Sequence, residues 1–334
     1  MSEDALKRWA EARGARFAVA GIDLLDTVRK QLEQRRGEGQ IDSRFFRENL
    51  GDLLGPGDLG VSRPEALLIV SAPRPVHTIV LNIGDRSVDV LLPPTYFRYR
   101  AFFADILKEI KEALGESVEI AILQAPLKSL SAHLGLTVYG RNNVTYVPDI
   151  GSYHQLCGYI VGGDAGIRLR NAFGFPVARG GEGSLRLCAT CRACVKACPT
   201  GAVRADRFLI SAEKCFTLFS ENPGPFPESL RRPKTACLLG CMECQTACPE
   251  NRGRLRFEST GISITAEETA ELLAVGERIQ NGESLSRQLL ESGTPSGVEP
   301  DIWNRIAVKF AALRLTGGMD LISRNLRAFF GPPG

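Results

Sequence analysis

Cys188-Ala-Thr-Cys191-Arg-Ala-Cys194-Val-Lys-Ala-Cys198-Pro199 and, further on, Cys241-Met-Glu-Cys244-Gln-Thr-Ala-Cys248-Pro249 decide how this chain reads. The first run is C-x2-C-x2-C-x3-C-P, and the second repeats its C-x2-C-x3-C-P half. With Cys215 and Cys237 counted, the stretch 188–248 holds all the chain's 10 cysteines but Cys157. Cysteines this close in a tight loop can turn several thiolates toward one iron–sulfur cube. Backbone N–H groups of the same loop then point at the sulfurs and stabilise the negative charge. The Cys-Pro step ends each loop, because proline has a fixed φ and no N–H to donate. Ala189, Ala193, Ala197 and Ala247 are small enough to let backbone approach the cluster closely.

The spacing is that of a bacterial two-cluster ferredoxin, in which the fourth cysteine of each run crosses to the other cluster. On that rule Cys188, Cys191, Cys194 and Cys248 hold cluster A. Cys198, Cys241 and Cys244 hold cluster B with one more thiol, either Cys215 or Cys237. Zinc sites are usually two separated pairs without the C-x3-C-P tail. Disulfides need an oxidising compartment, and residues 1–14 form a charged amphipathic segment with no apolar core of an export signal. Two [4Fe–4S] clusters and a cytoplasmic location are therefore expected.

At 334 residues the chain has room for two or three domains, at about 100–200 residues each. Its net charge of +3 is too mild to argue for nucleic acid by itself. The presence of 3 His and 3 Met gives no sign of haem or copper. Apolar runs such as 66–70 are too short to span a bilayer.

Upstream of the cysteines, helices are expected at 3–12, 24–36, 43–54 and 100–114. Phe103, Ile106, Leu107, Ile110 and Leu114 share one face of the last. Strands are expected at 16–22, 66–71, 77–83, 87–92, 118–123 and 144–147. A turn at 55–60 and a glycine-rich linker at 178–183 punctuate the chain. No G-x-G-x-x-G, P-loop, Ser/His/Asp or H-E-x-x-H arrangement occurs. The stretch 140–154 is dense in glycine and polar residues, which suits a pocket whose backbone approaches a large ligand. After Arg256 the chain reads as helical, with helices at 266–280 behind the N-cap Thr265, at 284–290 and at 301–313.

The cysteine module, with Glu213-Lys214-Cys215 and Leu239-Gly240-Cys241 through Pro249-Glu-Asn251, resembles that of epoxyqueuosine reductases. These are cobalamin-dependent iron–sulfur enzymes related to reductive dehalogenases. Ala125-Pro126-Leu127, the run Gly135-Leu136 to Gly140-Arg141-Asn142, and Gly151-Ser152-Tyr153 resemble that family's corrinoid motifs. The resemblance covers roughly residues 60–255. It implies an α+β fold: a nitroreductase-like corrinoid-binding domain (1–177), a ferredoxin-like two-cluster domain (178–255) and a short helical C-terminal region (256–334). It implies that Cys215 is the eighth ligand, leaving Cys157 and Cys237 as spare thiols. It also implies a base-off cobalamin beside cluster A, held by Tyr139, Gly140, Arg141, Asn142, Asn143, Gly151, Ser152, Tyr153 and His154.

The chain departs from the family at Leu123, two positions before the Ala-Pro, where the family has an acidic residue thought to deliver a proton. The segment 125–135 is shortened and the C-terminal part is compact. The expectation is therefore a corrinoid reductase of an organic small molecule other than epoxyqueuosine, with nucleic acid not expected as a partner. An external ferredoxin or flavodoxin would supply low-potential electrons. Tyr96, Tyr139 and His154 are the candidate proton donors, and Arg98 and Arg141 could hold an anionic substrate. The alternatives are an electron-transfer or corrinoid-reactivating protein, a tRNA epoxyqueuosine reductase, and a flavin-binding relative.

Overall fold

The computed structural model describes residues 3–51, 60–174, 184–230, 236–285, 288–289, 293–315 and 318–331. The linker at 178–183, and all of the turn at 55–60 except Gly60, lie outside them.

The N-terminal part runs α1 (Glu3–Arg13), β1 (Arg16–Gly21), α2 (Asp23–Gly37), α3 (Ser43–Asn49), β2 (Pro64–Pro73), β3 (Val76–Ile83) and β4 (Arg86–Leu92). It continues through α4 (Tyr99–Leu114), β5 (Ile120–Ile122), α5 (Leu127–His133), β6 (Val138–Tyr139), β7 (Thr145–Tyr146), β8 (His154–Gly162) and α6 (Gly163–Phe173). An antiparallel sheet of order β1-β2-β8-β5 forms its centre.

Side chains alternate across a strand, so β2 and β8 feed two cores. Leu68, Val70, Tyr159 and Val161 pack under α1 and α4, against Leu6, Phe103, Ile106 and Ile110. Leu67, Ile69 and Ile160 pack on the other face against Leu24, Val28 and Leu130 of α2 and α5. Each large apolar side chain buried this way contributes about 1.5–3 kcal/mol. Gly158 lets α5 approach β8, since a Cβ there would lie 2.4 Å from the Leu127 side chain.

The cysteine segment adds short helices α7 (Ala193–Ala197), α8 (Phe216–Glu221) and α9 (Glu243–Thr246). After it come β9 (Phe257–Ile264), α10 (Ala266–Gln280), α11 (Pro300–Leu313) and α12 (Met319–Phe330). The region after Arg256 is thus not purely helical. β9 pairs in parallel with β3, Val76 opposite Phe257, while β4 flanks β3 on its other side. Ile79, Leu81, Val90 and Leu92 bury their side chains against Trp303, Ile306, Ile322 and Leu326 of α11 and α12. The hairpin β3–β4 therefore packs with the C-terminal helices although it sits early in the chain. Thr265 caps α10 in a reciprocal capping box with Glu268, and the buried Glu268 also pairs with Lys309 at 2.5 Å.

Arg324 of α12 is 1% exposed. Its guanidinium donates to the carbonyls of Asn222, Gly224 and Phe219 at 2.5, 2.7 and 2.8 Å. This fastens the last helix to the loop leaving α8. Among the described residues no helix is long and apolar enough to cross a membrane.

Candidate functional site

The cysteines fall into two sets. Cys188, Cys191, Cys194 and Cys248 line one small void with Gly140, Asn142 and Tyr146. Cys241 and Cys244 each lie close enough to Cys198 and Cys215 to feel their charge. Cys237 feels the charge of Cys241 alone among these thiols. It is 1% exposed and packs with Val76, Tyr153 and Met242. Cys157 is buried in the sheet core.

Burial pushes the Cys241 thiol up to about 12 and Cys244 higher still, with neighbouring thiols adding to both. At Cys198 burial pushes the same way but is outweighed, and the thiol falls below its ordinary value. There the Val203 N–H, the Thr200 side chain and further backbone N–H groups bond to the sulfur. Thiols that are costly to ionise alone, yet ringed by N–H donors, suit a cationic cluster, which deprotonates its ligands outright. Among the described residues no three His, Cys, Asp or Glu side chains are gathered tightly enough for one metal ion.

The glycine-rich stretch clasps this module. Arg141 bonds through its N–H to Cys188 Sγ at 3.4 Å and through its guanidinium to the carbonyls of Cys188 and Ala205 at 2.6 and 3.0 Å. Asn142 donates to the Tyr146 hydroxyl and the Cys244 carbonyl. Asn143, in the left-handed region at φ 54°, donates to the Phe208 carbonyl and accepts from the Ile210 N–H. At Gly151, φ is 73° and a Cβ would lie 2.5 Å from Asn251 Oδ1. That oxygen accepts from the Ser152 N–H instead.

Beside this clasp lies a cavity of about 510 Å³. Its wall includes Tyr96, Tyr139, Ser152, His154 and Cys241 of the second thiol set. A second cavity of about 240 Å³ shares Leu32, Leu50, Lys128, Ser129 and Tyr139 with the first. The residues expected to form one pocket thus divide. Tyr139, Asn143, Ser152 and His154 line the two cavities, Gly140, Arg141 and Asn142 face the first thiol set, and Tyr153 lines a separate cavity across the sheet. The large cavity meets the second set, not the first.

The three candidate proton donors differ in their surroundings. Tyr96 donates its hydroxyl hydrogen to Glu221. Burial above all, with Glu221 beside it, raises the phenol well above its ordinary value. Glu221 is raised by burial and lowered in part by Tyr96 and Lys128. Tyr139 shares a hydrogen bond with Ser129 at 3.3 Å. His154 is engaged at both ring nitrogens, by Ser71 Oγ at 3.0 Å and the Thr145 carbonyl at 3.0 Å. Burial lowers it to about 4, so its ring is neutral at pH 7.

Lys128 and Glu221 were not singled out in the sequence. Lys128 is exposed on the cavity wall, and its ammonium donates to the Asn143 carbonyl at 3.5 Å. Desolvation lowers its pKa against the pull of Cys215, Cys244 and Glu221. The signal available was adjacency, since Lys128 follows Ala125-Pro126-Leu127.

This geometry defines a mixed α/β protein with a double iron–sulfur cluster domain. A family model for a 4Fe-4S double cluster binding domain matches residues 187–251. The chain is related to epoxyqueuosine reductases, as the motifs implied. It is 40% identical over 65 residues to the enzyme of Francisella cf. novicida, which is 19% of this chain and 18% of that one. Against the Bacillus subtilis enzyme it is 35% identical over 68 residues, 20% and 17% of the two chains. Against the Aliivibrio fischeri enzyme it is 28% identical over 266 residues, 74% and 66% of the two. The matches thus span less than two thirds of these relatives' length.

Solved structures share the fold. The epoxyqueuosine reductase of Bacillus subtilis superposes with a TM-score of 0.58 at 16% identity, covering 97% of this chain and 79% of that one. An epoxyqueuosine reductase crystallised with an epoxyqueuosine-modified tRNA-Tyr stem loop gives 0.59 at 16% identity, with the same coverage.

Two expectations are overturned here. A substrate other than epoxyqueuosine, and a small-molecule partner in place of nucleic acid, both conflict with relatives that are epoxyqueuosine reductases and with a neighbour that holds a tRNA stem loop. The substrate expectation leaned in part on the missing acid at Leu123, and the partner expectation on the compact C-terminal part and the mild net charge. Leu123 is 4% exposed and packed in the core, while other polar hydrogens line the cavity.

Proposed function

We propose that this chain is a cobalamin-dependent iron–sulfur reductase acting on epoxyqueuosine in tRNA. The observation that carries the reading is the 510 Å³ cavity walled at once by Cys241 and by Tyr96, whose hydroxyl is held by Glu221. In this reading Cys188, Cys191, Cys194 and Cys248 hold one [4Fe–4S] cluster, and Cys198, Cys215, Cys241 and Cys244 hold the other. Residues up to 174, without the β3–β4 hairpin, act as a nitroreductase-like corrinoid domain.

The two cavities that share a wall give room for a large planar cofactor. His154, engaged at both ring nitrogens, would serve as a fixed wall of that space. When bound, the corrinoid would supply low-potential cobalt chemistry that the side chains lack. The protein's own part is to bind, to exclude water and to hold protons. Reducing an epoxide takes two electrons and protons whichever bond is cleaved. Tyr96 Oη holds one such proton, with Glu221 positioning it and Lys128 adding positive charge nearby. An external low-potential donor such as ferredoxin or flavodoxin would supply the electrons, and the two thiol sets would hold the clusters that carry them.

The test is an anaerobic preparation from cells supplied with cobalamin, assayed for iron, sulfide and cobalt and then for loss of epoxyqueuosine from a modified tRNA stem loop. About eight irons and one cobalt per chain, with turnover, are expected. Iron without cobalt, together with an untouched stem loop, would overturn the proposal.

A further inference from the structure

Across the sheet from the cofactor cavity lies another of about 650 Å³. Arg13, Arg74, His77, Arg98, Arg254 and Arg256 supply its basic wall. Some of that charge is already matched. Arg13 lies 3.5 Å from Glu109 and Arg98 lies 3.9 Å from Asp105, while His77, whose pKa burial lowers, leaves Glu258 as a further acid on this wall.

Three guanidiniums are not matched. Arg74 is 7% exposed and donates only to neutral oxygens, Gln155 Oε1 at 2.6 Å and the Phe97 carbonyl at 2.8 Å. Burial depresses it to about 10. Arg254 and Arg256 make no ion pair among the described residues. Asp149 and Glu258, the remaining acids on this wall, offset two of these three charges.

A buried cation without a counter-charge is costly. One anion in the cavity would relieve it. The guanidinium fork matches phosphate oxygens in pairs.

We propose that this cavity is a phosphate-binding site in which Arg74, Arg254 and Arg256 hold the oxygens. The phosphate belongs either to the backbone of an RNA strand or to a small phosphorylated molecule. The RNA source rests on the function proposed above, whereas phosphate binding itself does not.

The test uses the cluster-replete full chain and two probes, inorganic phosphate and an unmodified RNA stem loop, titrated by calorimetry. The Arg254→Ala/Arg256→Ala variant removes two partly exposed contacts and leaves Arg74 in place to support the fold. Arg44→Ala/Lys108→Ala removes equal charge from exposed sites elsewhere. The cavity variant is expected to bind phosphate about tenfold more weakly per arginine lost, and the control unchanged. If RNA affinity falls in parallel, with a salt dependence shallower by about two ions, the RNA backbone is the ligand. If phosphate binding falls while RNA binding holds, the ligand is a small phosphorylated molecule. Phosphate affinity equal in wild type and cavity variant, or equally weakened in the control, overturns the site.

Discussion

Tyr96 and Glu221 join two parts of the chain that the sequence keeps far apart: the loop after β4 and the last residue of α8, the helix that leads away from Cys215. Desolvation raises both groups above their ordinary values, so each holds its proton more tightly than the free side chain would. Tyr96→Phe is expected to lower turnover of the modified stem loop by about 10²–10⁴-fold, with iron content and visible spectrum unchanged. Glu221→Gln keeps a hydrogen-bond partner and should shift the pH profile more than the maximal rate. Wild-type turnover by Tyr96→Phe would remove Tyr96 from the chemistry.

The cysteine sets make a separable prediction. Cys198→Ala should damage the second cluster and spare the four thiols of the first. Cys237→Ser should leave both clusters intact, because Cys237 packs among apolar side chains. EPR of the reduced variants distinguishes the two. A lost cluster in Cys237→Ser would exchange the roles of Cys215 and Cys237.

Restoring an acid at position 123 should not help. Leu123 belongs to the core beside Leu130 and Ile160 and faces Gly158 at contact distance. Leu123→Asp should cost on the order of 3 kcal/mol through lost burial and a desolvated carboxyl. The check is a lower urea midpoint with no gain in turnover.

His154 sets an acid limit. Its folded-state value of about 4 lies below the ordinary imidazole value, because burial disfavours the charged ring. Between roughly pH 6.5 and 4 the unfolded chain binds the extra proton, so stability present at pH 7 is lost as pH falls. The full effect is on the order of 3 kcal/mol. His154→Gln should flatten the fall in urea midpoint between pH 7 and pH 5. An equal fall in the variant would place the acid sensitivity elsewhere.

Much of this was legible from local pattern. The cysteine loops announce themselves because their ligand spacing lies within a few residues. The face of α4 follows from its period, with Phe102 added to the buried set. β8, the strand beside β2 at the sheet's centre, was missed. Its sequence His154–Gly162 is buried at all but one position, so it reads as a continuous apolar run broken by Gly158, without the alternation of a half-exposed strand. β9 was missed for the opposite reason, since Phe257–Ile264 is largely exposed and polar. The cavities were legible only in part, since Tyr139, Asn143, Ser152 and His154 were expected at a pocket and line them. Their walls come from α2, the loop after β4, α5, β6 and the cysteine loops, and only the fold brings these together.

The parallel pairing of β3 with β9 constrains how the protein can be made. Val76 must wait for Phe257, and every cysteine of both sets lies between them. Closing so long a loop is entropically costly and slow. During synthesis all the thiols leave the ribosome before the strand that completes their neighbouring sheet. The interval in which β3 lacks its partner is also the interval in which assembly machinery has the freest access to the thiols. A truncation before residue 257 should yield a chain that takes up iron yet aggregates through its open sheet edge.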